Sequence, residues 1–219
     1  MIVALSNPKG GVGKSTLAVH MAVWLAEEGF STVLVDADVQ ASSSTWLHEA
    51  APSIPIARLQ TPDEILEAVP ELARQHTHVV VDGPAGLSEV SRAILLVADL
   101  AMLPCGPSAL DLRAAREVLR VLGQARQIRK GAPAAMLVPN KLQQRHRLTR
   151  ELVVTLQAFK VPFTSGIHLR QAYADAAGQG SVVWRLGPSA SPAANEIREL
   201  IRGTILFNEA NIDRSAKVA

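Results

Sequence analysis

NPKGGVGKST occupies residues 7–16, between a short apolar run at 2–6 and a helical pattern that begins at Ser15. A glycine-rich turn between a strand and a helix is the context of a phosphate-binding loop. Glycines let backbone N–H groups approach phosphate oxygens, and the start of the helix adds a favourable dipole. Lys14 can reach the β- and γ-phosphates, and the Ser15 hydroxyl can ligate Mg²⁺. The stretch therefore predicts a nucleotide site rather than a turn that merely caps a helix.

The loop departs from the strict G-x-x-x-x-G-K-[ST] form, because Pro8 replaces a glycine and a second lysine, Lys9, opens the loop. The pattern K-G-G-x-G-K-[ST] resembles the deviant Walker A motif of the ParA/MinD superfamily of P-loop ATPases. The resemblance implies two chains that sandwich two ATP molecules, with Lys9 contacting the phosphates of the partner's nucleotide and with Lys9 and Lys14 acting in catalysis. The implied nucleotide-binding residues of the loop are Lys9, Gly10, Gly11, Val12, Gly13, Lys14, Ser15 and Thr16.

Three carboxylates follow apolar runs that predict strands. Asp36 and Asp38 belong to VLVDADVQ at 33–40, and Asp82 ends VVVD at 79–82. Ligands of open α/β sheets bind at the carboxyl ends of the strands. By resemblance, Asp38 orients or activates the attacking water, and Ser15, Asp36 and Asp82 serve the Mg²⁺ site. Capping of the strand end remains an alternative for Asp36 and Asp38.

Two further segments resemble the same family. Asn140 ends the apolar run MLVPN, and the resemblance implies that its side chain hydrogen-bonds the adenine; a simple turn asparagine is the alternative. PSALDL at 107–112 resembles a family segment beside the dimer interface, although Ser108 is also a good helix N-cap. In VVVDGPAG, Gly83 and Gly86 would form the turn that senses the γ-phosphate.

Short apolar runs alternate with helical patterns along most of the chain. The predicted strands lie at 2–6, 32–36, 79–82, 100–103 and 135–138. Near-continuous apolar strands separated by helices indicate a parallel sheet covered on both faces. The fold class expected is therefore α/β: a single P-loop NTPase domain with a mostly parallel, twisted sheet and helices on both faces. We expect the domain to span residues 1–207 and a polar, frayed tail to span 208–219.

Composition narrows the function further. A single cysteine among 219 residues excludes a disulfide framework and a cysteine-rich metal site within one chain.

Charge is unevenly distributed along the chain. Residues 1–100 hold 5 Lys/Arg and 12 Asp/Glu, whereas residues 111–150 hold 10 Lys/Arg and 2 Asp/Glu. Such segregation can mark a surface that faces a polyanion, although solvated helix faces are the alternative. By resemblance to the partition ATPases of the same superfamily, the candidate DNA-binding residues are Arg145, Arg147, Arg150, Arg170, Arg185 and Arg202.

The resemblance implies a slow ATPase that dimerises with ATP and Mg²⁺ and binds DNA non-specifically. Such a protein segregates or positions a plasmid, a chromosome locus or a large cargo, and a ParB-like or other adaptor stimulates hydrolysis. The expected location is the cytoplasm, on the nucleoid. The alternative is a MinD-like, membrane-associated regulator of cell division, which needs a basic amphipathic C-terminal helix. Residues 196–207 carry as many acids as bases, so we expect this segment to dock on its own domain and no stable membrane binding.

Overall fold

The computed structural model describes residues 1–143 and 147–216. Its strands are β1 Ile2–Leu5, β2 Thr32–Asp36, β3 Ile56–Arg58, β4 His78–Asp82, β5 Leu100–Cys105 and β6 Ala134–Pro139. All pairings are parallel, in the order β3-β2-β4-β1-β5-β6. The predicted α/β class with a parallel sheet is confirmed. The strands that follow β1 lie on one side of it up to β4 and on its other side from β5 onward. The loop after β1 therefore lies at the point where the strand order reverses, which is the usual place of a ligand site in such sheets.

Eight helices surround the sheet in the part of the chain described. They are α1 Lys14–Glu27, α2 Ser42–Ala50, α3 Pro62–Gln75, α4 Glu89–Val97, α5 Ala109–Ile128, α6 Arg147–Ala158, α7 Gln171–Gly178 and α8 Ser191–Ala216. Two short 3₁₀ turns, Val183–Arg185 and Pro188–Ala190, precede α8. α5 begins with a capping box in which the Ser108 hydroxyl accepts from the Asp111 backbone and the Asp111 carboxylate accepts from the Ser108 backbone. The N-cap expected at Ser108 is thus confirmed.

Alternation along the buried strands builds a core on each face of the sheet. On β1, Val3 and Leu5 belong to the cluster that holds α1 and α8, whereas Ile2 and Ala4 belong to the cluster that holds α3 and α4. Successive side chains of a strand point to opposite faces, so a run of apolar residues is buried on both. The central strands are therefore buried on both faces of the sheet, and the loops at its carboxyl edge begin from this core.

Two elements differ from the sequence prediction. β3 is an edge strand of three residues, half-buried, and its pattern is too short to distinguish from a loop. The last helix continues through 208–216, where a polar tail was predicted, and Asn208 is buried. That part of the predicted tail is therefore corrected to helix, because α8, whose preceding residues are packed on the domain, continues through it.

The apolar face of α8 is used inside the domain. Ile197, Leu200, Ile201 and Thr204 are all buried against the sheet and α1. The expectation that this segment docks on its own domain is confirmed. No helix in residues 1–143 and 147–216 combines the length and the hydropathy that crossing a bilayer requires.

His20, in the middle of α1, joins this helix to the turn before α8. Its Nδ1 lies 2.7 Å from the carbonyl oxygen of Thr16, and its Nε2 accepts a hydrogen bond from the N–H of Val183 at 3.2 Å. The rings of Trp46 and Trp184 contact the imidazole edge-on, with centroids 5.4 and 5.6 Å away. The ring is fully buried, which lowers the pKa of His20 to about 4. The neutral imidazole of His20 thus connects the first turn of α1 to the 3₁₀ turn at Val183–Arg185 through hydrogen bonds.

Candidate functional site

The loop between β1 and α1 adopts the backbone that its glycines allow. Gly11 and Gly13 have φ angles of 71° and 97°, a region that favours glycine. A Cβ on Gly13 would stand 2.3 Å from Nδ2 of Asn140, which donates a 2.7 Å hydrogen bond to the carbonyl of Val12. The predicted adenine-binding asparagine therefore lies against the loop, at the end of β6. Its side-chain oxygen accepts from the N–H of Lys141 at 2.8 Å.

Lys14 is buried at the start of α1, with its Nζ 3.4 Å from the carbonyl oxygen of Lys9. Burial lowers the pKa of Lys14, and the carboxylates of Asp82 and Asp38 oppose that shift. A buried ammonium at the start of a helix is suited to bind a phosphate. The negative charge of the phosphate would stabilise the ammonium, which has lost part of its hydration.

Lys9 contacts its own chain. Its Nζ lies 2.8 Å from Asp111 Oδ1 and 3.4 Å from the Ser108 hydroxyl, so the two residues that cap α5 also hold this lysine. The Lys9 side chain is 38% exposed and that of Asp111 is 8% exposed. Burial raises the pKa of Asp111, but the hydrogen bonds from Lys9 and Ser108 outweigh it and leave the pKa lowered. Asp111 is therefore held as a carboxylate beside Lys9, and Lys9 must leave this contact to reach a group on another chain.

Asp36 holds the segment that follows β2. One carboxylate oxygen accepts from the N–H of Asp38 at 3.1 Å, and the other accepts from the N–H and hydroxyl of Ser44 at 2.8 and 2.6 Å. These contacts support the strand-end cap that the sequence left open for Asp36, and its metal role stays a prediction. Asp38 in turn accepts from the N–H of Gln40 at 3.0 Å. Next to it, Val39 is 76% exposed.

Asp82 is fully buried at the end of β4, and neither carboxylate oxygen has a hydrogen-bond partner in the described parts of the chain. Burial raises the pKa of Asp82 to about 6, the nearby hydroxyls of Ser15 and Ser43 oppose the shift, and the charge of Asp36 adds to it. A buried carboxylate with free oxygens beside a serine hydroxyl is a ligand set that suits Mg²⁺, which takes oxygen donors and keeps several waters. The residues present therefore fit this ion.

Two adjoining cavities lie along the loop. The first has a volume of about 480 Å³ and is lined by the loop glycines, Lys14, Ser15 and Asp38. The second, of about 290 Å³, is lined by Asn140, Ile167, His168, Arg170 and Tyr173 among others. Gly13, Thr16 and Lys141 line both. A cleft beside the phosphate loop thus adjoins a second, more apolar pocket, which Asn140 lines.

The predicted DNA-binding arginines are dispersed, and several have partners in their own chain. Arg147 pairs with Glu151 at 3.0 Å, Arg170 with Glu196 at 2.5 Å and Arg185 with Glu27 at 2.5 Å. The guanidinium of Arg202 lies 6.0 Å from the centre of the Trp24 ring. Arg145 and the side chain of Arg150 lie outside the described part of the chain. DNA contact by these six residues stays a prediction.

Sequence reasoning missed the side chains that support the site. Ser43 and Ser44 face the two buried carboxylates, and Glu196 lies behind the second cavity. The serine run at 42–44, shortly after Asp36 and Asp38, was the available signal for the first two. No local signal marks Glu196, because its partners lie 23 to 28 residues away in the chain.

The fold and the loop define a nucleotide-binding domain of the P-loop class. Residues 3–183 match the family described as the CobQ/CobB/MinD/ParA nucleotide binding domain. The chain therefore belongs to this family, and the resemblance drawn from the loop is confirmed.

Curated proteins and solved structures are similar to this chain over most of its length. The "Maintenance of carboxysome distribution protein A" of Halothiobacillus neapolitanus is 30% identical over 210 residues, which cover 93% of this chain and 95% of the relative. The cell division ATPase MinD of Pyrococcus furiosus has a TM-score of 0.78 at 21% identity, covering 94% and 98% of the two chains. An ATP complex of a Cyanothece McdA variant has a TM-score of 0.76 at 17% identity, covering 93% and 95%. The two structures show likeness of fold.

Proposed function

We propose that this chain is a slow ATPase that dimerises around ATP and Mg²⁺, binds DNA non-specifically in that state and positions a large cargo, a plasmid or a chromosome locus. An adaptor protein, ParB-like or of another kind, stimulates hydrolysis, and the dimer works on the nucleoid in the cytoplasm. The observation that carries the proposal is the two-lysine loop, which lies beside Asp36, Asp38 and Asp82 at the carboxyl edge of the sheet.

Each residue of the loop edge has a role in this reaction. Backbone N–H groups of residues 10–16 and the ammonium of Lys14 hold the triphosphate. Ser15 and Asp82 would hold Mg²⁺, which would supply positive charge against the phosphate oxygens. Asp38 orients the attacking water and accepts its proton. Lys9 leaves Asp111 and places its charge against the phosphates in the partner's site, where it stabilises the charge that develops as the bond to the γ-phosphate breaks.

The role in positioning draws its support from the relative of Halothiobacillus neapolitanus, which the chain matches over nearly its whole length. That protein maintains the distribution of carboxysomes. A chain of this family that forms and dissolves DNA-bound dimers can place a large body along the nucleoid, because the bound dimers provide a surface whose density the adaptor depletes locally. The cargo of this chain is accordingly proposed to be a large body or a replicon.

DNA binding draws its support from the basic middle of the chain. Arg113, Arg116 and Arg120 are exposed on α5 and follow one helix face. No carboxylate within salt-bridge distance of them is found among residues 1–143 and 147–216. Phosphate contacts by such residues give binding that ignores sequence and weakens steeply with salt.

Co-sedimentation with DNA under ATP, ADP and no nucleotide tests the proposal. We expect DNA binding only with ATP and Mg²⁺, with an affinity that falls as salt rises. The control is Lys14→Ala, which loses nucleotide and should lose DNA binding with it. Binding that does not depend on nucleotide, or no binding in any state, would refute the DNA-dependent function.

A further inference from the structure

Three polar residues of the pocket beside the phosphate cleft come from one short stretch of chain. His168 and Arg170 lie just before α7, and Tyr173 lies in its first turn. All three line the 290 Å³ pocket, together with Asn140, which directly follows β6. Loop side chains such as these have several rotamers available, so something must fix them if the pocket is to present one pattern of hydrogen-bonding groups.

Glu196, from the second turn of α8, contacts all three side chains from outside the pocket. Its Oε1 accepts from His168 Nδ1 at 2.9 Å and from Arg170 at 3.1 Å (Nε) and 2.5 Å (Nη2). Its Oε2 accepts from the His168 backbone N–H at 3.1 Å and from the Tyr173 hydroxyl at 3.4 Å. One carboxylate thus joins three residues of the pocket wall.

The electrostatics keep this carboxylate charged. Glu196 is 15% exposed, and burial alone would raise its pKa, but hydrogen bonds from Arg170 and His168 outweigh burial and leave the pKa lowered. Since the carboxylate of Glu196 faces Nδ1 of His168, that nitrogen donates a hydrogen bond to it. The contact therefore fixes the orientation of the imidazole ring.

We propose that Glu196 is a positioning residue for the base of the bound nucleotide, acting through His168, Arg170 and Tyr173. The inference rests on the proposed nucleotide site and adds a residue of α8 to it. Glu196 does not line the pocket itself, so it contributes to base binding by fixing the groups that do. Phosphate binding, which uses the loop after β1 on the other side of Gly13, does not depend on it.

The test compares two ligands in the presence of Mg²⁺: ATP, which has a base, and inorganic tripolyphosphate, which has none. In Glu196→Gln the amide cannot accept from all three partners and sets an NH₂ group against one of them. We expect the dissociation constant for ATP to rise about tenfold, and that for tripolyphosphate to stay unchanged. Isothermal titration calorimetry on the full chain measures both. Glu199→Gln is the matched control, since Glu199 is exposed on the same helix.

The ratio of the dissociation constants for ATP and tripolyphosphate distinguishes a role of Glu196 in base binding from a role in the structure of the whole site. Equal losses for both ligands, or no loss for either, would overturn it. If Glu196→Gln does not fold, Glu196→Asp keeps the charge but is one methylene shorter, and the same selective loss of ATP affinity is expected. A wild-type chain that binds neither ligand would refute the proposed nucleotide site itself, whereas normal wild-type binding with an unchanged ratio in the variants would refute only the role of Glu196.

Discussion

The ion pair between Lys9 and Asp111 opposes the dimer that we propose, because Lys9 must leave Asp111 to reach the partner's nucleotide. Asp111→Asn removes the negative charge and keeps the shape. Its side-chain oxygen can still accept from the backbone N–H of Ser108, so the start of α5 is retained. The variant should therefore release Lys9 without unfolding the helix, and ATP-driven dimerisation should become stronger.

The size of the effect follows from the exposure of the pair. Lys9 is 38% exposed, so solvent screens the 2.8 Å contact with Asp111, and about 1 kcal/mol is a reasonable value for it. A dimer breaks two such pairs, which together oppose association by about 2 kcal/mol. At 1.4 kcal/mol per factor of ten, the dissociation constant of the ATP-bound dimer should fall about thirtyfold in the variant.

Sedimentation velocity with Mg²⁺ and a non-hydrolysable ATP analogue measures this constant directly. Asp63→Asn is a suitable control, because Asp63 is an exposed acid in the first turn of α3, far from the loop. The control should leave the dimer unchanged. A folded Asp111→Asn protein whose dimer is no tighter than that of the wild type would show that the pair does not restrain Lys9.

Three other variants test the site and its surroundings. Asp38→Ala should still form ATP dimers while phosphate release slows by about a hundredfold or more, since proton acceptance is lost; normal turnover would exclude this role. Burial raises the pKa of Asp82 to about 6, so the ionised group destabilises the nucleotide-free fold as pH rises from about 4 through 6. Asp82→Asn should thus gain roughly 1–3 kcal/mol in unfolding free energy at pH 7.5 and nothing at pH 4. Burial lowers the pKa of His20 to about 4, so the stability that its neutral ring contributes is present above pH 6.5 and is lost as pH falls towards 4. The deficit of His20→Gln in thermal unfolding should therefore shrink over that interval, and a constant deficit would contradict the assignment.

The sequence was most informative where one local motif determines both backbone and chemistry. The glycines at 10, 11 and 13 predicted the loop, and the apolar runs before Asp36 and Asp82 predicted the strands that carry these carboxylates to the same edge. Parallel strands bring their carboxyl ends together whatever the loops between them do. The central part of the site could therefore be predicted without any tertiary information.

Contacts between distant segments were beyond sequence reasoning. Arg170 and Arg185 were predicted to contact DNA because their region resembles the partition ATPases. Glu196 and Glu27 lie next to them because α8 packs on the sheet and the turn before it packs on α1. The sequence shows which residues are charged. Whether a charged side chain forms an ion pair depends on residues that are distant in sequence and adjacent only in the fold.

The contact of His20 with two indoles gives the protein an internal optical probe. Of its three tryptophans, Trp46 and Trp184 touch this imidazole, whose Nδ1 meets the carbonyl of Thr16 inside the phosphate loop. Ultraviolet emission from unlabelled protein should accordingly follow changes at the junction of the first helix with residues 181–185. Adding nucleotide while watching that signal would time the response of this junction in a single mixing experiment.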